Sequence, residues 1–499
     1  MKLMFKNPRL LFGMVVTLGV FAMSARTVSD PDIWWHLRTG QAIVETHHLF
    51  YSDPFSFTRL GQPWVNHEWL TDILVFTVYK AGGMLALTAT FSALTAAGFF
   101  LVFVSCRARP AAAALFTVWG ALVAAPTWGV RPQTISFLFA ALLWLILRRT
   151  EQRRRLIWWT VPLMFLWVNL HAGFAIGIAL LILHAASIGL DWSFGLERSH
   201  ARLRLRNTAL ALVACVAVVS INPYGLRMYS YPFQTLSSGG MQQWIAEWAS
   251  PDFHEGKFAP LLLSILFSLV LVARSREVRP GEVLVFGAGM LAALSAIRHA
   301  PIFVVLATPL LSEWNDRLLS ARSNAGRVKP AKTGHGFKLA WGGVIIAVLA
   351  TFAFARIVQV SRQQAQSESQ QFPEGAATFL LRHPELQPTF NAYNWGGYLI
   401  WRLYPAQRVF IDGRADVYGK ELMRQFTDSY SLTKDWREPF EHWSIQSVVL
   451  PRSAPLGQAL RSLPEWKNAY ADGQAEVLVR TFPPPESEVL TGEAGKRSP

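Results

Sequence analysis

The sequence predicts a polytopic α-helical membrane protein of about eleven transmembrane helices with a C-terminal extracytoplasmic α/β domain. Three observations predict it. Apolar stretches of helical length recur from Leu10 to Arg356. The turns between them alternate between basic and poor in Lys and Arg, the pattern that orients membrane helices. Beyond Gln371 the composition changes, and short β-like runs alternate with helical ones.

The first helix, Leu10–Ala25, follows a basic cytoplasmic start with Lys2, Lys6 and Arg9. Met23-Ser24-Ala25 is a poor cleavage site, so the helix is expected to stay. A long outer loop, residues 26–83, holds an interfacial helix over Glu68–Lys80. Met84–Val104 returns to Arg107 and Arg109. Ala111–Trp128 goes out, and Pro132–Leu147 comes back to the basic turn Arg148–Arg155. Leu156–Leu170 and Ala172–Leu190 form the next pair, ending before Arg198–Arg206. Asn207–Ile221 leads to a second outer loop, 222–258. Ala259–Ala273, Val283–Ile297, Ala300–Leu311 and Leu339–Arg356 complete the membrane part, residues 1–356. Residues 357–371, rich in Gln and Ser, read as a linker that does not pack.

Thr389–Tyr393, Val409–Asp412, Ser447–Leu450 and Ala475–Arg480 read as strands. Gly397–Leu403, Lys420–Tyr430 and Leu456–Lys467 read as helices. Residues 372–482 are long enough to fold alone. The tail 483–499 is Pro/Glu/Ser-rich and expected to be disordered.

The chain is 52% apolar and 16% charged, with a net charge of +15. The excess falls in inner loops, so it marks orientation rather than a nucleic-acid partner. Membrane lipids are the expected surroundings. Cys106 and Cys215 lie in or beside apolar segments, without metal-ligand or disulfide spacing, and read as packing residues.

The polar groups that run against cost share the outer face. Asp30, Asp32, Trp34, Trp35 and His36 follow the first helix. Arg131 occupies a short outer turn, Asn169 and His171 end another span, and Arg298-His299 joins two apolar spans. A charge at a helix centre costs roughly 2.5–3.5 kcal/mol, less near the interface, where long side chains snorkel. Each alone reads equally as an interfacial anchor or cap. Together they place arginines, suited to phosphate, on the same face as Asp30, Asp32, Asp53, Glu68, Glu247 and Asp252. That is the composition of a transfer site. Asp30 and Asp32 also offer oxygen ligands for a divalent cation, although the spacing is weak and the cofactor stays undetermined. The glycine pair in Asn394-Trp395-Gly396-Gly397-Tyr398 lacks dinucleotide-loop spacing, so no nucleotide cofactor is expected. Asp412 and Arg414 read as a structural ion pair or a ligand contact.

Asp30-Pro31-Asp32-Ile33-Trp34-Trp35-His36, Asp53-Pro54-Phe55-Ser56, His67-Glu68-Trp69, Arg131-Pro132-Gln133 and Asn169-Leu170-His171 resemble the GT-C superfamily of polytopic membrane glycosyltransferases. The likeness is to its bacterial branch related to protein mannosyltransferases and lipopolysaccharide-core sugar transferases. It implies a GT-C-like membrane domain in the bacterial cytoplasmic membrane, with the N-terminus cytoplasmic and the C-terminus extracytoplasmic. It further implies a polyprenyl-phosphate sugar donor and a glycan, lipid or protein acceptor. Asp32 or Asp30 matches the catalytic carboxylate by position, and Glu68 is the next candidate. Arg131, His171, Asn169, Arg298, His299, His36 and Trp35 are candidates for substrate binding. The competing readings are a transporter or flippase for a lipid-linked or anionic solute, and a non-catalytic scaffold. A transporter needs a path open to both faces, whereas these polar residues gather on one.

Overall fold

The computed structural model describes residues 7–196, 200–237, 246–274, 277–325 and 335–481. The tail 483–499 lies outside the described residues, as do residues 238–245 of the second outer loop and 326–334 of the last basic loop.

Each expected span coincides with a helix. In order the helices are α1 (Pro8–Ser24), α2 (Ile33–Thr46), α3 (Trp69–Ser105), α4 (Pro110–Ala124), α5 (Gln133–Arg149), α6 (Thr160–Leu170), α7 (Phe174–Ser193), α8 (Ala201–Val218), α9 (Arg227–Ser237), α10 (Ala259–Arg274), α11 (Pro280–Ser295), α12 (Ala300–Ala325) and α13 (His335–Gln371), of which α2 and α9 match no expected span and fall in the two expected loops. Among the described residues, five helices are long and apolar enough to cross a membrane: Trp69–Ser105, Pro110–Thr127, Phe174–Ser193, Gly256–Arg274 and Gly342–Gln371. Pro8–Ser24 and Pro280–Ser295 are apolar but shorter. The higher expected count is therefore not reached by length alone. The α6 segment shows why: at 1.5 Å per residue it rises roughly 16 Å, about half a hydrocarbon core.

Local chemistry starts and bends these helices. Asn7 accepts the Arg9 N–H at 3.0 Å, and Pro8 opens α1. Thr17, Thr95 and Thr117 donate to carbonyls four residues back, so their hydroxyls need no partner helix. The expected interfacial helix and the following span form one element, α3, broken at Gly82-Gly83. Gly83 has φ +61°, which a β-carbon would strain.

Residues 357–371 correct the linker expectation, because they continue α13 as helix. Gln364 accepts the Val28 N–H at 2.9 Å and donates to the Val28 carbonyl at 3.1 Å, tying this polar turn to the first loop.

The C-terminal part contains α14 (Glu374–Arg382), α15 (Gly396–Leu403), α16 (Ala415–Tyr430), α17 (Glu438–His442), α18 (Pro455–Arg461) and strands β1 (Thr389–Asn391), β2 (Ser447–Pro451), β3 (Trp466–Ala471) and β4 (Ala475–Arg480). The sheet order is β1-β2-β4-β3, with β1 parallel to β2 and the other pairs antiparallel. Two expectations change here. Val409–Asp412 joins no sheet strand; its edge pairs with the first loop, Phe57 N–H to Val409 O and Val409 N–H to Phe55 O, both 3.1 Å. The helix expected over Leu456–Lys467 ends at Arg461, and β3 begins at Trp466.

The buried side chains form two clusters. One fills the helical bundle around Phe99, Trp167, Phe303 and Trp314. The other is shared: Trp34, Trp35, Phe55 and Trp64 of the first loop pack with Phe372, Phe390, Tyr398 and Phe410 of the C-terminal part. Phe372 stacks on Tyr398 at 5.2 Å, and Trp34 meets both edge-on at 5.5 and 5.0 Å.

Candidate active site

The shared core leaves a cavity of about 510 Å³ where the first loop, the helical bundle and the C-terminal part meet. Asp32 lies on its wall, immediately before α2. The carboxylate makes no capping bond to that helix, while the Asp32 N–H donates to Asp30 Oδ1 at 2.9 Å. Gly413 covers it from the C-terminal part, and a β-carbon there would stand 1.7 Å from Asp32 Oδ1. Burial first, and then the neighbouring Asp30, push the Asp32 carboxyl up to about 7 against the pull of His36 and Arg131.

Arg131, Arg298 and His299 line the same cavity, as do Asp30, Trp35, His36, Glu68 and His171. Arg131 is already engaged: its Nε meets Asp30 Oδ2 at 2.5 Å, and its Nη1 pairs with Glu247. Arg298 differs. Its guanidinium lies over the Trp248 ring, 4.2 Å from the centroid, with no carboxylate in salt-bridge range among the described residues. His299 Nδ1 faces the Ala292 carbonyl at 3.2 Å.

Glu68 gathers three histidines. His171 Nε2 stands 3.1 Å from Oε1, His67 Nε2 3.4 Å from Oε1, and His36 Nε2 3.5 Å from Oε2. Burial alone would raise this carboxyl; His67 and His171 instead hold it well below the usual range. The Gly173 N–H donates to His171 Nδ1 at 2.9 Å, so the ring proton belongs on Nε2, facing Glu68. Ser136, which accepts from Trp167 Nε1 at 2.8 Å, also meets that Nδ1, at 2.7 Å. His36 Nδ1 donates to Asp72 Oδ1 at 2.6 Å, and Asn66 donates to the other Asp72 oxygen at 2.7 Å.

Asn169 is not brought to this cavity. It lies outside the cavity lining. It donates to the Phe165 and Ile221 carbonyls at 2.9 and 3.1 Å and accepts from Trp69 Nε1 at 3.3 Å, so its amide is spent on joining helix ends. Of the two carboxylates that offer oxygen ligands for a cation, Asp30 is bound to Arg131. Among the described residues no group of three or more His, Cys, Asp or Glu is arranged to hold a metal.

Asp416, His67, Trp248 and Tyr231 also line the cavity, unanticipated as site residues. Asp416 belongs to Asp412-Gly413-Arg414-Ala415-Asp416, where the ion-pair reading fits the first half. Arg414 donates to both Asp412 oxygens at 2.8 and 2.7 Å and to Asp53 Oδ1 at 2.8 Å, sealed against Trp64. Asp416, at the start of α16, exposes its side chain to the cavity. Burial raises its carboxyl, and His67 and Arg414 oppose that shift.

The kinked helical bundle, the buried first loop with its paired aspartates and the C-terminal part that closes over them share their overall fold with solved structures. The oligosaccharyltransferase of Archaeoglobus fulgidus superposes with a TM-score of 0.52 at 12% identity, over 88% of this chain and 69% of that one. ArnT from Cupriavidus metallidurans, solved with undecaprenyl phosphate, gives 0.50 at 13% identity, over 94% and 97%. A second structure of the archaeal enzyme, AglB, holds an inhibitory peptide and a dolichol-phosphate, with a TM-score of 0.50 at 12% identity. No protein-family model matches the chain, and no curated protein matches it.

Proposed function

We propose that this protein is an integral membrane glycosyltransferase that moves a sugar from a polyprenyl-phosphate-linked donor to an acceptor at the extracytoplasmic face. The acceptor hydroxyl attacks the anomeric carbon, the acceptor O–C bond forms, and the C–O bond to phosphate breaks. The hydroxyl proton passes to Asp32, and the bonding pair leaves with the lipid phosphate. Arg298, backed by His299, stabilises the charge that develops there. Arg131 holds Asp30 and Glu247 in place, and His171, His36 and Glu68 form the polar floor beside Trp35.

The observation that carries this reading is the pairing, in one cavity, of an elevated carboxyl at Asp32 with an arginine, Arg298, that has no carboxylate in salt-bridge range among the described residues. The polyprenyl-phosphate ligands of ArnT and the archaeal enzyme support the choice of donor class.

The test is transfer of labelled sugar from a polyprenyl-phosphate donor to membrane acceptors by the purified protein. Asp32→Asn keeps the shape and removes the base, so it should leave the protein folded and slow transfer about a hundredfold to ten-thousandfold. Unchanged transfer by that variant would remove Asp32 from the role, and absence of transfer by the wild type across donors would count against the reading.

A further inference from the structure

A second cavity, of about 450 Å³, lies beside the first between the end of α1, the span half of α3, the turn at 126–131 and α13. Three arginines line it: Arg131, bound to Asp30 and Glu247, and two others, Arg26 and Arg356. Arg26 donates from Nη1 to the Ala125 carbonyl at 2.9 Å and stands 5.6 Å from the Trp128 ring centre. Arg356 donates from Nε to the Ala25 carbonyl at 3.1 Å and from Nη1 to Gln359 at 2.9 Å. Neither has a carboxylate in salt-bridge range among the described residues; the acid on this wall, Asp30, is held by Arg131. Burial and the nearby Arg356 charge both push the Arg26 guanidinium down.

Two cations sharing a part-buried cavity repel unless an anion sits between them. We propose that Arg26 and Arg356 form an anion site for the phosphate headgroup of a membrane lipid, distinct from the Arg298 subsite and independent of the transfer reaction. Arginine suits that headgroup, because its planar fork donates two parallel hydrogen bonds to phosphate oxygens. The lipid source follows from α13. Its face before Arg356 is bare apolar surface, with Phe352 and Phe354 57% and 72% exposed. Acyl chains can lie along that face while the headgroup enters sideways, and basic pockets between membrane helices bind lipid headgroups in this way.

The experiment uses the full chain in dodecyl maltoside micelles, which carry no phosphate, titrated with dioctanoyl phosphatidic acid and followed by native mass spectrometry. The wild type should bind saturably, and Arg26→Gln/Arg356→Gln should bind about tenfold more weakly, the scale of a lost charged hydrogen-bond pair. Arg26→Lys/Arg356→Lys keeps the charge and should fall between them. Inorganic phosphate alone, added as competitor, separates the sources. Displacement at matching concentration would support the anion site with a free phosphate as its ligand, and failure to displace would support the lipid headgroup. Equal binding by wild type and the Gln variant, or no saturable binding by the wild type, would overturn the proposal. Should the double variant not fold, Arg356→Gln alone, on the exposed α13, carries the same comparison.

Discussion

Asp32 was legible as a candidate because two acids beside a tryptophan pair, next to an apolar helix, have no reason to be there for packing. Its elevated carboxyl sets a pH dependence. A base must be ionised, so transfer should rise as pH climbs through about 7 and level off above it. A flat profile from pH 5 to 8 would contradict that role. Arg298 was legible for the same reason, and the absence of a carboxylate in salt-bridge range among the described residues sharpens the expectation. Arg298→Ala should lower kcat about a hundredfold to a thousandfold with little change in protein level, read from turnover normalised to folded protein. The place of Asn169 apart from the cavity was not legible, because its partners, Phe165, Ile221 and Trp69, come from three places that no local pattern links. Asp416 was missed because its neighbour Arg414 accounted for the motif. Glu68 tests the histidine cluster. Its carboxyl is held low in the folded state, so its stabilising effect is present above the unfolded carboxylate range and is lost as pH falls towards the folded value. Glu68→Gln should therefore lower Tm at pH 7 and flatten the acid limb of a Tm–pH curve; an unaltered acid limb would show that the histidines do not depend on its charge.

At the scale of elements, helices were readable from apolar length, but their joints were not. The break in α3 depends on Gly83, and the continuation of α13 through 371 depends on the Gln364–Val28 contact, which links residues distant in sequence. The strand-like run Val409–Asp412 has strand chemistry but finds its partner in Phe55–Phe57, a long-range pairing that periodicity cannot reveal. The element that fixes this pairing is Arg414, buried with Asp412 and Asp53. Removing one member of a buried charge cluster leaves the others uncompensated. Arg414→Met should cost about 3–5 kcal/mol, seen as a lower Tm and faster proteolysis of the 409–416 segment. A Tm within a degree of wild type would mean that the stacking on Trp64 and Phe55, rather than charge, holds the joint.

The whole molecule is a helical fold whose C-terminal core is built jointly by two distant stretches, and this changes what an isolated C-terminal segment can do. The change in composition after residue 371 points to a domain able to fold alone. The buried cluster argues otherwise, because Trp34, Trp35, Phe55 and Trp64 fill the same core as Phe372, Tyr398 and Phe410. Sequence composition marks where chemistry changes but does not show which apolar faces already have partners. Burying one large apolar side chain is worth about 1.5–3 kcal/mol. Losing four such partners removes about 6–12 kcal/mol, comparable to the whole stability of a small domain at about 5–15 kcal/mol. Arg414 would also lose Asp53, and Asp32 would no longer cover Gly413. Residues 372–481 expressed alone should therefore show no cooperative thermal transition by circular dichroism, and should expose Phe372 and Tyr398 to a hydrophobic dye. Adding residues 26–68 through a flexible linker should restore the transition, since that loop supplies the missing core and Asp53. A sharp, reversible transition in the isolated segment would show that the C-terminal part holds enough of its own core and that the loop merely docks onto it.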